Sequence, residues 1–337
     1  MFRRTNDWKR ELQDIINRNN DRHAVKAKNV SFETMHQRAN FLFAFFTELR
    51  RNDERNHKVL PSGLKGRHVQ FMVSRWVRRG LSPGTIHVYL SYLRVFAGWL
   101  GKNGMVLEPP AYVSDPVLVQ RTHVATFDHS WSAHGIDCYL LIGRVADFDP
   151  FVGAQLAMCL AFGLRVKEAI MFQPCSAITE DGTSISLLRG TKGGRARLVP
   201  IDSEARRAAL DLARRVAGKA TGHLGAPRRS LQQSRSRFYT VMAHFGVTRR
   251  QLGITAHGLR HQYANDRYTD LTGTASPVRG GEWLGSDVAR AARLQVAEEL
   301  GHAREKITAA YFGSSAVMRR KVARRPQAVG ADDPDST

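Results

Sequence analysis

Residues 255–261 read TAHGLRH, residues 299–302 read ELGH and residues 307–313 read ITAAYFG. His257 and Arg260 are three apart, so a helix through them projects both side chains from one face. Tyr311 follows His302 by nine residues. Two imidazoles, a guanidinium and a phenol in this order suit chemistry on an anionic centre. His261 makes an HxxxH spacing with His257, which raises a metal site as a rival. The zinc-protease version of that spacing needs Glu beside the first His, and Gly258 stands there. No third ligand is evident, so neither a metal nor a cofactor is expected.

Two motifs lie upstream. GLRVKE at 163–168 puts Arg165 at a tight bend beside Phe162, Gly163 and Leu164, with Glu168 three residues on. GTKGGRARLVPI at 190–201 puts Lys192 in a Gly-rich turn between the strand candidates SISLLRG (184–190) and RARLVPI (195–201). Breaking a phosphodiester without a metal needs a nucleophile, cations for the non-bridging oxygens and a proton donor for the leaving oxygen. Each motif alone is weak. Lys192 by itself reads as an ordinary hairpin lysine, and Tyr311 is one of eight tyrosines.

Taken in order, Arg165, Lys192, His257, Arg260, His302 and Tyr311 closely resemble the active-site series of the tyrosine recombinase (phage integrase) family, over most of residues 131–320. The resemblance implies a role for each. Arg165 and Arg260 would clamp the scissile phosphate, as a permanently charged, forked guanidinium does well. Glu168 would help hold Arg165, Lys192 would protonate the leaving 5′ oxygen, and His257 and His302 would add to charge stabilisation. Tyr311 would attack phosphorus to give a 3′-phosphotyrosyl link. An ordinary phenol ionises near about 10, and surrounding cations favour the phenolate or the charge forming in the transition state.

The implied activity is site-specific recombination, integrating or excising a mobile element, by a homo-tetramer on two double-stranded DNA sites. Subunits of the family exchange C-terminal segments, for which GSSAVMRRKVARR (313–325) is the candidate; a frayed basic tail is the plain alternative. An accessory directionality factor is a further expected partner. Two other functions fit the same chemistry or fold: a type IB topoisomerase, and an inactive DNA-binding regulator.

Outside the motifs the chain reads as mostly α with a small antiparallel β-sheet, an α+β class. Residues 1–105 are expected to form a helical core-binding bundle. It holds a polar helix at 5–18, one capped by Ser31 with Phe32, Met35, Ala39, Leu42, Phe46 and Leu49 on one face, one at 65–79, and one capped by Ser82 with Pro83 at its first position and Gly101 past its end. Residues 103–130 contain Gly104, Pro109, Pro110 and Pro116 and read as the inter-domain linker, set at 106–130. The catalytic domain is expected at 131–325, with helices near 147–162, 203–217, 230–245 and after Thr255. DLTGTASPVRGGEWLGSD (270–287) reads as an inserted loop, and residues 326–337 as a disordered tail. No further DNA-binding domain is expected ahead of the bundle.

The bulk numbers agree. The 337 residues carry 51 Lys and Arg against 30 Asp and Glu, a formal charge of +21, which favours a polyanionic partner. Arg67, Arg75, Arg78, Arg79, Arg235 and Arg237 are the candidate phosphate contacts, each with a plain surface arginine as its alternative. Cys138, Cys159 and Cys175 are too few and scattered for a disulfide framework. No signal-peptide core and no apolar run of ~18 residues is present, so a cytoplasmic, nucleoid-associated protein is expected.

Overall fold

A computed structural model describes residues 7–21, 29–52, 54–218, 222–281, 284, 287–302 and 305–314. The chain divides after Thr122 into two compact units. The first is built on α1 (Asp7–Asn19), α2 (Phe32–Arg51), α3 (Gly66–Arg78) and α4 (Pro83–Trp99). Ser31 and Ser82 cap α2 and α4 by accepting from the Thr34 and Thr85 amides, as their sequences predict. Leu42, Phe46, Leu49, Val69, Met72, Val73, Ile86, Leu90 and Leu93 are fully buried in one core. Each such side chain contributes roughly 1.5–3 kcal/mol.

The stretch expected as a linker is instead structured and divided between the units. Pro109 and Pro116 open short 3-10 turns, Pro109–Tyr112 and Pro116–Val119. Proline's fixed φ suits the first position of such a turn. Val106, Tyr112 and Val119 are buried in the first core. The Arg94 guanidinium donates to the Leu107 carbonyl at 2.7 Å, and Gln70 to the Tyr112 carbonyl at 2.9 Å. Residues from His123 on belong to the second unit. There the Ala125 amide bonds the Ala309 carbonyl, and Trp131 is fully buried.

The second unit centres on α6 (Pro150–Phe162), which is apolar all round and packs against α5 (Cys138–Phe148), α7 (Val166–Met171), α8 (Glu204–Ala217) and α10 (His257–Thr272). One helix was expected near 147–162. There are two, because Asp149 ends α5 and caps α6, with Pro150 at the first position of α6. β1 (Ser184–Leu187) and β2 (Arg197–Pro200) pair antiparallel, with Ser184 opposite Pro200 and Leu187 opposite Arg197. Helices α9 (Leu231–His244), α11 (Asp287–Glu299) and the single turn α12 (Ala309–Phe312) complete the unit.

The expected inserted loop is also shorter than its sequence suggested. α10 continues to Thr272, and the turn Pro277–Arg279 is pinned to it: Ser276 Oγ bonds Asn265 Oδ1 at 2.5 Å, and Arg279 bonds Asp266 at 2.6 Å and Asp128 at 2.8 Å. The tail and all but the first two residues of the 313–325 segment lie outside the described residues.

Candidate active site

α10 begins at His257, so its first turn carries His257, Arg260 and His261 into the second unit. That end is fixed from outside. Trp131 Nε1 donates to the Thr255 carbonyl at 2.8 Å, and Gly258 lies so close to the His129 carbonyl and the Trp131 ring that a Cβ would come within 2.7 and 2.8 Å of them.

Arg260 is 1% exposed. Its Nη1 donates to the Gly163 carbonyl and its Nη2 to the Leu300 carbonyl. Its Nε donates to the Tyr311 hydroxyl at 3.1 Å. Among the described residues no carboxylate pairs with it. Burial lowers its pKa, as does the charge of Arg165, while Tyr311 opposes them. A guanidinium stays charged regardless, so this is a buried cation held only by neutral groups. Such a charge is costly until an anion meets it.

Gly163 makes this geometry possible. It ends α6 at φ +61, and a Cβ there would lie 2.5 Å from the Tyr263 ring. The left-handed conformation turns its carbonyl onto Arg260 and starts the bend that delivers Arg165.

Arg165 side-chain exposure is 25%, so unlike Arg260 it reaches the surface. Its Nη1 donates to Glu168 Oε1 at 2.7 Å, and its backbone N–H to Glu168 Oε2 at 2.8 Å. Its Nη2 lies 3.5 Å from the Leu300 carbonyl, the acceptor that Arg260 also uses. Glu168 is fully buried. Burial alone would raise its pKa, but hydrogen bonds and charge from Arg197 and Arg165 outweigh this and hold the carboxyl at about 2.

Tyr311 is buried, and its hydroxyl sits between Arg260 Nε and His302 Nε2, the latter at 3.3 Å. His302 is half-buried, and its Nε2 is also 3.4 Å from Arg260 Nη2. The His257 and His261 rings lie 6.4 and 4.8 Å from the Tyr311 ring. His261 is driven down to about 3, by burial first and then by His257, His129 and Arg260, with Asp128 opposing them. His257 keeps exposed surface, yet desolvation of the packed part, with the charges of Arg260 and Arg165, lowers its pKa as well. Both imidazoles are neutral at neutral pH. Among the described residues no group of three or more His, Cys, Asp or Glu is arranged to hold a metal.

The structure thus gathers Arg165, Glu168, His257, Arg260, His302 and Tyr311. Lys192 opens the turn Lys192–Gly194 between β1 and β2, with Gly193 and Gly194 at positive φ. Sequence reasoning missed a supporting frame. Arg197 binds both oxygens of Glu168, at 3.0 and 2.7 Å. Glu299 is held by Tyr263 Oη, by Arg267 at 3.0 Å and by Gln295 at 3.1 Å. These contacts fix the Glu299–Leu300 carbonyls against Arg197 and Arg260. Apart from Gln295, one helical turn from Glu299, the frame's partners are far apart in sequence, so nothing local marks it.

The other arginine candidates divide. Arg67, Arg78 and Arg235 are exposed. Arg75 and Arg79 share Glu48, at 3.3 and 2.9 Å. Arg237 donates to Asp149 at 2.7 Å and lies over the Phe148 ring, so it braces the α5–α6 junction.

Comparison with known proteins places this geometry in context. Residues 135–266 match the family profile described as Integrase, and residues 16–106 match the one described as Phage integrase, N-terminal. His302 and Tyr311 lie beyond the first match. Among solved structures, a lambda integrase dimer bound to a COC′ core site aligns at TM-score 0.56 and 13% identity, over 92% of this chain and 95% of that one. A lambda integrase tetramer bound to a Holliday junction gives the same score and identity over 92% and 77%. The Tn1549 transposon integrase with transposon right end DNA aligns at 0.56 and 13%, over 93% and 98%. At such identity the likeness is one of fold. The comparison with curated proteins returned no match.

Proposed function

The chain belongs to the tyrosine recombinase family, that of the phage integrases, and from that premise we propose how its own residues carry out site-specific DNA recombination. Tyr311 is the nucleophile. The observation that carries this is the hydroxyl's position, 3.1 Å from Arg260 Nε and 3.3 Å from His302 Nε2. Arg260 brings a buried, un-neutralised charge, and Arg165 a partly exposed one. Together they hold the non-bridging oxygens of the scissile phosphate and offset charge developing there. As the Tyr311 oxygen bonds phosphorus, its proton passes to His302 Nε2, 3.3 Å away, and the bond to the 5′ oxygen breaks. Lys192, at the turn between β1 and β2, supplies the proton that the 5′ oxygen takes up. Neutral His257 and polar His302 add donors at the site's edge. The 3′-phosphotyrosyl link keeps the bond energy, so a 5′ hydroxyl from another strand reseals it.

The working assembly in this reading is a homo-tetramer on two double-stranded sites, its affinity coming mostly from phosphate contacts. Arg67, Arg78, Arg79 and Arg235 are the best placed of the surface candidates by their exposure. A directionality factor choosing integration or excision, and residence on the nucleoid, complete the proposal. The N-terminal match over 16–106 favours a recombinase over a type IB topoisomerase. The complete catalytic series argues against an inactive regulator.

The test is a suicide duplex nicked beside the cleavage site, its sequence taken from direct repeats flanking the element. Wild type becomes covalently trapped on it. Tyr311→Phe binds the duplex with similar affinity and traps none. An adduct from Tyr311→Phe would remove Tyr311 as nucleophile.

A further inference from the structure

Arg197 opens β2, five residues after Lys192, and lies where three motifs meet. Its Nη1 and Nη2 bind the two oxygens of Glu168 at 3.0 and 2.7 Å. Its Nε donates to the Glu299 carbonyl at 2.8 Å. It packs on Gly301, where a Cβ would lie 3.1 Å from Arg197 Cδ. Its side chain is 4% exposed. Unlike Arg260, whose partners are all neutral, Arg197 already holds an anion with both Nη atoms, so it is not placed to take a phosphate.

Its effect on charge is specific. Arg165, Glu168 and Arg197 form a buried cluster of two cations and one anion, net +1. Arg165 alone of the three reaches solvent. Were Arg197 absent, Glu168 would have Arg165 as its only charged partner. The carboxylate would then take the Arg165 guanidinium for itself, and the cluster's net charge would fall to zero.

We propose that Arg197 is a positioning residue for recombination: by sharing the Glu168 carboxylate that also binds Arg165, it leaves the cluster a net positive charge, presented to the scissile phosphate by Arg165, its member that reaches solvent. The proposal rests on the reading of Arg165 as a phosphate clamp. It also separates Arg197 from an ordinary core ion pair, whose loss would weaken the fold without regard to the charge on the substrate.

The experiment measures single-turnover trapping of the full chain on suicide duplexes with three scissile linkages. One is an ordinary phosphate. One is a methylphosphonate, in which a non-bridging oxygen is replaced by methyl and the linkage is neutral. One is a 5′-bridging phosphorothiolate, whose sulfur leaves without a proton. Arg197→Met should lose about 100-fold on phosphate, the scale of removing one charge-stabilising donor. It should return to within about 10-fold of wild type on methylphosphonate, where the clamp's charge is no longer needed. The phosphorothiolate should not restore it. Adding Glu168→Gln to Arg197→Met should raise cleavage of ordinary phosphate, because the competing anion is gone. Should Arg197→Met fold poorly, Arg197→Lys retains the charge and gives the same pattern with a smaller loss.

Arg165→Ala is the control for the underlying reading. Failure of Arg165→Ala to recover on methylphosphonate would sink the clamp itself. Recovery by Arg165→Ala but not by Arg197→Met overturns the role of Arg197 alone. Recovery of Arg197→Met on the phosphorothiolate would also overturn it, by showing that the residue acts through the Lys192 turn.

Discussion

Glu168→Gln tests whether the buried carboxylate is as strongly held as its surroundings require. The wild-type group has no exposure and binds two guanidinium groups and the Arg165 amide. Its pKa falls from 4.5 to about 2. A shift of that size corresponds to about 3 kcal/mol favouring the charged form in the folded state. The sign follows from a depressed carboxylate: the stabilisation is complete above the unfolded pKa of 4.5 and is lost as pH falls toward 2. Gln resembles the protonated form. The variant's catalytic unit should therefore be about 3 kcal/mol less stable than wild type at pH 7, with the gap narrowing as pH drops through that window. Because two units need not unfold together, the measurement is urea-dependent hydrogen exchange of the α7 amides, Val166–Met171, in both proteins from pH 7 to pH 3. Equal stability at pH 7, or a gap that does not shrink in acid, would refute the argument.

Further outcomes concern the rest of the site. Lys192→Ala should cleave ordinary DNA slowly and recover on a 5′-bridging phosphorothiolate; no recovery removes Lys192 as proton donor. His261, held at about 3 against an ordinary 6.5, is buried neutral, so the unfolded chain takes up a proton that the folded one refuses as pH falls through that range. His261→Phe should lose less stability than wild type between pH 7 and pH 5, read from urea midpoints, and equal losses would contradict a neutral buried ring. Gly163→Ala forces a Cβ to 2.5 Å from the Tyr263 ring at a left-handed position and shifts the carbonyl that Arg260 holds. It should lower trapping by about 10-fold or more, as misplaced catalytic geometry does, and wild-type trapping would show the contact is not needed.

Much of this was legible because it is local. Ser31, Ser82 and Pro83 begin helices by chemistry written within three residues of each boundary, and the Gly-rich turn between β1 and β2 is fixed by its own residues. The α5–α6 junction was also local, in Asp149 and Pro150, but an unbroken apolar pattern on both sides obscured it. The prolines after residue 106 read as linker marks because sequence cannot say whether a proline-led turn packs on a neighbour; Tyr112 and Val119 do. Arg165, Arg260, His302 and Tyr311 were found through their order, which geometry then brings together. Arg197 and Glu299 could not be, since their partners lie 29 and 32 to 36 residues away and neither stands out from the charged residues around it.

The central claim is most directly tested by mapping the covalent adduct. Wild-type protein trapped on the suicide duplex is digested with nuclease and trypsin, and the nucleotide-bearing peptide is sequenced by mass spectrometry. The account predicts a nucleotide attached through its 3′ phosphate to Tyr311, in the tryptic peptide 307–319. A 5′ linkage, or a nucleotide on any other residue, would contradict it.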